Sequence, residues 1–198
     1  MRAANVDMPA DAREVLDFWF DPAHAAYWFD SSEEFDSEIR HRFGGLVKAA
    51  ASGQLDVWTA EPDRWLALLI LLDQFPRNIH RGDARAWASD VKAQRVAVSG
   101  LADAFDRRLP PLQRVFAYLP LEHAEDIGLQ RYSVALFEAL HAQVAVEQRE
   151  RFGNFLDYAR RHREVIARFG RFPHRNAVLG RVDTPQEALY LAQAAAGF

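Results

Sequence analysis

The sequence predicts an all-α protein, and two patterns support this prediction. Apolar residues recur at steps of three and four along nearly the whole chain, which is the spacing of one helix face. No segment alternates between apolar and polar residues with a period of two, so we expect no β-sheet. Because no stretch rich in Gly, Ser or Pro interrupts the pattern, residues 1–198 are predicted to form a single domain of about eight helices.

The first two helices are predicted from their apolar stripes and end signals. The first covers about residues 10–20. The second begins at Ser31, where Glu34 three residues later completes a capping box, and Gly53 is placed to end it.

The third helix is predicted to lie in the middle of the fold. It begins near Pro62, which suits a first helical turn, and it is apolar on all sides through Leu72. Pro76 is expected to stop it. A fourth helix is expected over about residues 83–99, with Gly100 as its C-terminal signal.

Four further helices are predicted in the C-terminal half. The fifth begins near Pro110 and is expected to end at Pro120, and the sixth and seventh cover about residues 121–146 and 154–169. The last begins with a capping box at residues 184–187 and is expected to run to the Ala-rich end of the chain.

Composition and charge exclude several classes of protein. The formal net charge is -4, so an overall basic field for nucleic acid is absent. Without cysteine the chain has no disulfide, thiolate nucleophile or Cys-ligated metal. The longest apolar run, residues 65–72, is too short to span a bilayer, and the N-terminus lacks the apolar segment of a signal peptide. We therefore expect a cytoplasmic protein that does not contact membranes.

Three polar side chains are predicted to face inward. His162 lies in the middle of the apolar stripe of the seventh helix, and His123 and Gln130 lie on the stripe of the sixth. An unpaired buried polar group costs about 1–3 kcal/mol, so each side chain needs a partner. One interpretation is a hydrogen-bond network between helices. The other is a polar pocket with His162 or His174 as general acid or base, and its catalytic candidates are Glu122, His123, His162 and His174.

Two segments share the order Phe-Pro and then Arg-Asn, at residues 73–78 and 170–176. The carboxylate of Asp73, which follows the all-apolar helix, is expected to pair with an arginine of one of these segments. Such a pair could lock the segments together, or part of the polar set could remain available to bind a carboxylate or phosphate. The ligand-binding candidates are Asp73, Arg77, Asn78, Arg81, Gln130, Arg171, Arg175 and Asn176.

A metal site is not predicted, although a spacing that is typical of metal ligands, Glu-x-x-His, occurs twice. Glu38 and Glu138 each precede a histidine by three residues, as in di-metal carboxylate bundles. Glu38 and His41 lie off the apolar stripe and should face solvent, which leaves a single inward-facing motif. Glycine-rich nucleotide loops, the serine-hydrolase elbow and the zincin motif are also missing from the sequence, so no cofactor is expected.

Nucleic acid is a disfavoured partner despite an arginine-rich segment. Seven arginines lie between Arg160 and Arg181, with aromatic residues among them. The helical periodicity places Phe155, Tyr158 and Phe169 in the core and not beside the arginines, whose charge is expected to be balanced by the acidic stretch at residues 33–38.

Nine motifs occur in order along the chain: Asp17-Phe18-Trp19-Phe20, Leu72-Asp73-Gln74-Phe75-Pro76-Arg77-Asn78, Arg81, Ala88-Ser89-Asp90, Leu119-Pro120-Leu121-Glu122-His123-Ala124-Glu125, Gln130, His162, Phe169-Gly170-Arg171-Phe172-Pro173-His174-Arg175-Asn176 and Leu179-Gly180-Arg181. Together they resemble the domain of unknown function 924 family of bacterial proteins, over about residues 15–191. The resemblance implies a single all-α domain similar to the right-handed tetratricopeptide-like superhelix, and it implies no established activity.

Our leading hypothesis is one concave polar site that binds an anionic small molecule. The two Phe-Pro segments and the stripes that carry His123 and His162 would converge on it. Arg77, Arg171 and Arg175 would supply charged donors, and the two asparagines would orient the ligand. The rival hypothesis is a helical scaffold for a protein partner, in which the polar motifs only hold the superhelix together. Enzymatic activity and oligomeric state stay open.

Arginine outnumbers lysine by 22 to two, and the chain context divides the arginines into two groups. Those on the solvated face of the seventh helix, such as Arg160, Arg161 and Arg163, should be replaceable by lysine. Those in or beside the Phe-Pro segments should not be, because they lie near probable carboxylate partners. This second group is Arg77, Arg81, Arg171, Arg175 and Arg181.

Overall fold

The computed structural model describes residues 9–193, and this part of the chain is all-α, with nine α-helices and no β-strand. Short 3₁₀ turns connect several of them. The helices are α1 (Ala10–Trp19), α2 (Glu33–Ala51), α3 (Pro62–Leu69), α4 (Phe75–Ile79), α5 (Asp90–Ala102), α6 (Pro111–Glu122), α7 (Ile127–Gln143), α8 (Arg149–Phe169) and α9 (Pro185–Leu191). The all-α prediction is confirmed, while the right-handed superhelix stays a prediction.

The chain divides into two compact units. Unit 1 comprises Met1–Arg81 and Arg85–Ala117, and unit 2 comprises Gly82–Ala84 and Tyr118–Phe198. The single domain over the whole chain stays a prediction. None of the helices within residues 9–193 is long and apolar enough to cross a membrane.

Unit 1 is built around α3, which is buried on all sides as its uniformly apolar sequence predicts. Every residue from Trp65 to Leu72 has no exposed surface. The ring of Phe75 follows this run and packs on Phe43 at 4.9 Å and on Trp19 at 5.6 Å between centroids. Burial of large apolar and aromatic side chains at this density is the main stabilising contribution in unit 1.

The third helix does not stop at Pro76, contrary to the prediction. Its α-helical pattern changes earlier, into a π-helical turn over Ile70–Gln74, and Pro76 is the second residue of α4. A proline near the start of a helix lacks an N–H that would have had no partner in the helix. The wider π turn therefore lets the chain remain helical through Pro76, and the first Phe-Pro segment is helical and not a loop.

Gly100 does not end its helix either. It lies inside α5, which begins at Asp90 and not near residue 83. A Cβ at Gly100 would lie 2.3 Å from Cε2 of Trp65, so the glycine is where α5 approaches the indole closely. Nε1 of Trp65 donates to the backbone oxygen of Val96 at 2.7 Å, which fixes the ring in this position.

The boundaries of the following helices also differ from prediction. α6 continues past Pro120 to Glu122, and its last five residues belong to unit 2. α7 begins at Ile127 and not near residue 121, because the carboxylate of Asp126 caps it by accepting from the Leu129 N–H at 2.8 Å. His123 therefore lies in the connection before α7 and not on its stripe. α8 begins five residues before the predicted position, at Arg149.

Two predicted caps have different outcomes. The capping box of α9 is confirmed, since the Thr184 hydroxyl accepts from the Glu187 N–H and the Glu187 carboxylate accepts from the Thr184 N–H. At α2 the capping residue is Ser32 and not Ser31, with its hydroxyl accepting from the Phe35 N–H at 3.2 Å. The predicted extension of the last helix to the Ala-rich end falls on residues 194–198, outside the described part of the chain.

Unit 2 centres on α7 and α8, which pack antiparallel. Glu138 of α7 meets Arg160 of α8 at 2.9 Å, whereas His141, further along α7, lies beside the earlier Gly153. The segment after α8 returns over this pair. Phe172 is fully buried there and packs with Val165 and Ile166 of α8.

Candidate functional site

In unit 1 the carboxylate of Asp73 is fully buried beside the guanidinium of Arg77. Nη1 of Arg77 lies 3.4 Å from the carboxylate of Asp73 and donates to the backbone oxygen of the same residue at 2.8 Å. Both Nη atoms also donate to the two carboxylate oxygens of Asp90, at 2.9 and 3.1 Å. Burial opposes the charge of Arg77, but the two carboxylates outweigh it and raise its pKa above the ordinary value. The predicted pairing of Asp73 with an arginine is present, as a buried ion pair.

A second ion pair in unit 1 holds two more predicted ligand residues. The Asp36 carboxylate accepts from Nδ2 of Asn78 at 2.8 Å and from Nε and Nη2 of Arg81 at 2.7 and 3.0 Å. Asp36 was not among the site residues predicted from the sequence. The signal was its position, because Asp36 lies three and seven residues before Ile39 and Phe43, on the apolar stripe of α2, where a carboxylate needs a cation.

In unit 2, Arg171 is held by Glu187 of α9. Its Nε and Nη2 donate to the two carboxylate oxygens at 2.6 and 2.8 Å, and Nη2 also donates to the backbone oxygen of Val182. The hydrogen bonds from Arg171, together with the Thr184 N–H, lower the pKa of Glu187 to about 2. This pair fastens α9 to the end of α8.

Arg181 and Glu125 form an ion pair that holds the second Phe-Pro segment in place. Two nitrogens of Arg181 donate to the Glu125 carboxylate at 2.6 and 2.9 Å, while its Nε donates to the Asn176 side chain at 2.8 Å. Glu125 also accepts from the Phe172 N–H at 2.8 Å. Partial burial raises the pKa of Glu125, but these hydrogen bonds outweigh it, and the pKa lies below the ordinary value. Asn176 also donates to the carboxylate of Asp183 at 2.6 Å.

The remaining predicted residues of unit 2 gather around the ring of Phe172, in what we call the Phe172 cluster. The centroid of His162 lies 5.5 Å from that of Phe172, and His174 lies 5.6 Å from it. The guanidinium carbon of Arg175 stands 4.4 Å above the ring, a cation–π contact. The cluster comprises Glu122, His123, His162, Phe172, His174 and Arg175.

The contacts of His162 show which of its ring nitrogens carries the hydrogen. Its Nδ1 lies 2.9 Å from the backbone oxygen of Tyr158 and 3.2 Å from Oε1 of Glu122. A carbonyl oxygen only accepts, so Nδ1 carries the hydrogen. Arg175 donates to the backbone oxygen of His123 at 3.2 Å, which ties the second Phe-Pro segment to the connection before α7.

Two histidines of the cluster have strongly lowered pKa values. Burial is the main cause for His162, whose pKa is lowered to about 3, and neighbouring His123 and Arg175 lower it further. The pKa of His174 is lowered to about 4, by burial and then by the positive charge of Arg175. Both rings are therefore neutral at pH 7.

Gln130 supports the same region from α7. It has no exposed surface, as predicted, and its Nε2 donates to the backbone oxygens of Glu122 and Ala124 at 2.5 and 2.8 Å. The amide thus closes the C-terminal end of α6, whose carbonyl groups lack helical partners.

The two Glu-x-x-His spacings do not form a metal centre. Glu38 and His41 are exposed, as predicted, but Glu138 is exposed as well and pairs with Arg160, so the second motif does not face inward. Within residues 9–193, no three His, Cys, Asp or Glu side chains are placed to hold a metal ion.

The predicted burial of Tyr158, one reason to disfavour nucleic acid, is wrong. Tyr158 is not in the core but 47% exposed, and the guanidinium of Arg161 lies 5.4 Å from its ring. Three arginines of the segment, Arg160, Arg171 and Arg181, pair with acids of unit 2, which are Glu138, Glu187 and Glu125. Pairing of the segment with residues 33–38 stays a prediction.

One surface feature involves none of the predicted residues. Unit 1 has an open cleft of about 520 Å³ beside α1 and α2. Arg42 crosses it, pairing with Glu14 and Glu38 at 3.0 Å each and lying over the Phe18 ring at 4.7 Å. The cleft is lined by Ala10, Arg13, Glu14, Asp17, Phe18, Asp21, His24 and Arg42.

The predicted site residues therefore fall into two groups by unit. Residues 73–81 lie in unit 1, and the residues of the Phe172 cluster lie in unit 2. Convergence of the two Phe-Pro segments on one site stays a prediction.

Comparison with known proteins places the chain in a family without an assigned activity. No curated protein matches it. A solved structure of a protein of unknown function from Agrobacterium tumefaciens is similar, with 39% sequence identity and a TM-score of 0.83, covering 94% of this chain and 99% of that one. The family model described as bacterial protein of unknown function (DUF924) matches residues 15–195. The chain belongs to this family.

Proposed function

We propose that the protein binds an anionic small molecule at the Phe172 cluster of unit 2. The observation that carries the proposal is the position of Arg175. The residue is 6% exposed, and its guanidinium lies over the Phe172 ring and donates to the backbone oxygen of His123. Arg77, Arg81, Arg171 and Arg181 each bind one carboxylate through two nitrogens. Those four serve the fold in this proposal, together with Asp73, Asn78 and Asn176.

The electrostatics of the cluster favour an anion. The positive charge of Arg175 lowers the pKa of both His162 and His174. Burial lowers both pKa values most, so a bound carboxylate or phosphate would offset only the contribution of Arg175 and would raise both pKa values in part. Binding would therefore be accompanied by proton uptake and would strengthen as the pH falls below about 6.5, the ordinary pKa of histidine.

Acid or base chemistry follows only if the anion is bound. With pKa values of about 3 and 4, His162 and His174 are neutral imidazoles at pH 7, so they are poor general acids and weak bases. Once their pKa values rise, either ring becomes suited to proton transfer, with Glu122 orienting His162 and with His123 beside it at 6.1 Å between centroids. Binding is thus the primary activity, and turnover depends on it.

The test is calorimetric titration of the full chain with inorganic phosphate, glutarate and ethyl phosphate. We expect Arg175→Gln to weaken binding at least tenfold, since a hydrogen bond to a charged group contributes about 1.5–3 kcal/mol. His174→Gln, at a half-buried position, should weaken it less and flatten its pH dependence. Arg161→Gln, on the exposed face of α8, is the control and should leave the affinity unchanged.

Equal affinities in the wild type and the Arg175 variant would reject the proposal. So would a wild-type protein that binds none of the three anions. If Arg175→Gln does not fold, the decision rests on His174→Gln and on its pH profile.

A helical scaffold for a protein partner is the second candidate function. It is favoured by the four bidentate arginine–carboxylate ion pairs, which connect motif residues to neighbouring elements and so stabilise the fold. In that case Arg175→Gln and His162→Asn would lower the thermal stability strongly, and no small anion would raise it in the wild type. A rise in thermal stability with any of the three anions, lost in the Arg175 variant, would reject the scaffold.

A further inference from the structure

The open cleft of unit 1 has unused hydrogen-bonding capacity along its α1 side. Its volume of about 520 Å³ lies within the range of small-molecule sites, about 300–1,000 Å³. Within residues 9–193, the exposed carboxylate of Asp17 makes no hydrogen bond or ion pair. In the same part of the chain Asp21 uses only Oδ1, which accepts from the Ala23 N–H at 2.8 Å. Two carboxylates that line the cleft are therefore available to a ligand.

His24 adds a third acceptor to the cleft, and its ring is held in one orientation. Nδ1 lies 2.7 Å from the backbone oxygen of Phe18, and because a carbonyl oxygen only accepts, Nδ1 carries the hydrogen. The ring also packs against Phe18 and Phe35, at 4.4 and 5.1 Å between centroids. In the neutral ring Nε2 is then the acceptor, and among residues 9–193 no group donates to it.

The arginines of the cleft do not neutralise its acids. Arg42 lies over Phe18 and pairs with Glu14 and Glu38, at 3.0 Å each. When Glu38 is counted with the lining residues, four carboxylates and two guanidinium groups, those of Arg13 and Arg42, give the cleft a net charge of −2. Since the open groups are all acceptors and the charge is negative, the cleft complements a cation that donates hydrogen bonds.

We propose that this cleft binds an aliphatic diamine, with one ammonium group held by Asp17, Asp21 and Nε2 of His24. An ammonium group donates three hydrogen bonds, which matches the three open acceptor groups, and two ammonium groups balance the net charge of the cleft. The site consists of residues of unit 1 alone, so it is independent of anion binding at the Phe172 cluster.

Calorimetric titration of the full chain with 1,4-diaminobutane tests the proposal. The matched probes are 1-aminobutane, with one charge, and 1,4-butanediol, with none, all at pH 8, where imidazole is ordinarily neutral and the amines are charged. The diamine should bind about threefold or more tightly than the monoamine, and the diol should not bind.

Variants of the chain locate the binding. Asp17→Asn should weaken diamine binding about fivefold or more, because one charged hydrogen bond is lost. His24→Phe keeps an aromatic ring between Phe18 and Phe35 but removes Nε2, and it should weaken binding about threefold or more. Asp103→Asn is the control and should leave the affinity unchanged, since it removes the same charge at an exposed position of unit 1 outside the cleft.

Three results would overturn the proposal. In the first, Asp17→Asn and Asp103→Asn have the same effect, so that the overall negative charge of the protein attracts the diamine without a site. In the second, the monoamine or the diol binds as tightly as the diamine, so that the two charges are not recognised. In the third, the wild type does not bind the diamine. Asp17→Asn changes an exposed side chain and should fold, so the decision does not depend on His24→Phe.

Discussion

Four arginines of the family motifs use the shape of the guanidinium and not only its charge. Arg77, for example, donates to both oxygens of Asp90 and also contacts Asp73, with 21% of its side chain exposed. A lysine ammonium is a single point charge and cannot meet two carboxylate oxygens in this parallel way. The prediction that lysine cannot replace the arginines in or beside the Phe-Pro segments therefore has a geometric basis for four of them, Arg77, Arg81, Arg171 and Arg181.

Replacing Arg77 by lysine should lower the free energy of unfolding by about 1–3 kcal/mol, because the buried Asp73 and Asp90 carboxylates lose charged hydrogen bonds. Arg161→Lys, on the exposed face of α8, should stay within about 0.5 kcal/mol of the wild type. Urea unfolding followed by circular dichroism measures both. Equal losses in the two variants would mean that composition bias alone explains the arginine at position 77.

At the scale of elements, the sequence predicted that the helices exist better than it predicted the residues at which they begin and end. The stripe of α2, the buried α3 and the capping box of α9 followed from local patterns, because each depends on residues a few positions apart. The end of α5 could not be found in that way. Gly100 has the sequence signature of a helix end, yet its role is a tertiary contact with Trp65, more than thirty positions earlier in the chain.

The same limit applies to the candidate site. The inward position of His162 and Gln130 followed from helical periodicity, and both are buried. Helical periodicity did not predict the carboxylate partners of Arg81 and Arg171. Asp36 and Glu187 reach these arginines only because elements that are distant in sequence pack together. Two helix ends predicted from proline were also wrong, at Pro76 and Pro120. In both places the chain stays helical although the proline has no N–H to donate.

Gly100→Ala tests the close approach of α5 to α3. The added methyl group would overlap the Trp65 ring, so the variant should lose about 1–3 kcal/mol of stability, as expected for overpacking. Gly45→Ala in α2 is the matched control, because no atom lies within 4 Å of its Cβ position. That change should be neutral or stabilising by up to about 1 kcal/mol, from helix propensity. A Gly100→Ala variant as stable as the wild type would show that the ring moves aside.

At the scale of the whole molecule, the buried histidines predict how stability depends on pH. The folded-state pKa values of His162 and His174, about 3 and 4, lie below the ordinary value of 6.5. Below pH 6.5 the unfolded chain binds protons that the folded chain does not, so stability is fully present above pH 6.5 and is lost as the pH falls towards 4. Each histidine contributes a slope of up to about 1.4 kcal/mol per pH unit. The lowered pKa values of Glu125 and Glu187 act in a separate window, below the ordinary value of 4.5.

Urea unfolding at pH 7.5, 6.5, 5.5 and 5.0 therefore distinguishes the histidines from the carboxylates. The wild type should lose stability steadily over this range, and the double variant His162→Asn/His174→Asn should lose much less, whatever its stability at pH 7.5. Circular dichroism is the suitable signal, because all five tryptophans lie in unit 1 whereas both histidines lie in unit 2. Parallel pH profiles for the two proteins would mean that these rings titrate normally in the folded state. Because burial is the main cause of both lowered pKa values, this result would show that the two rings are hydrated in the folded state.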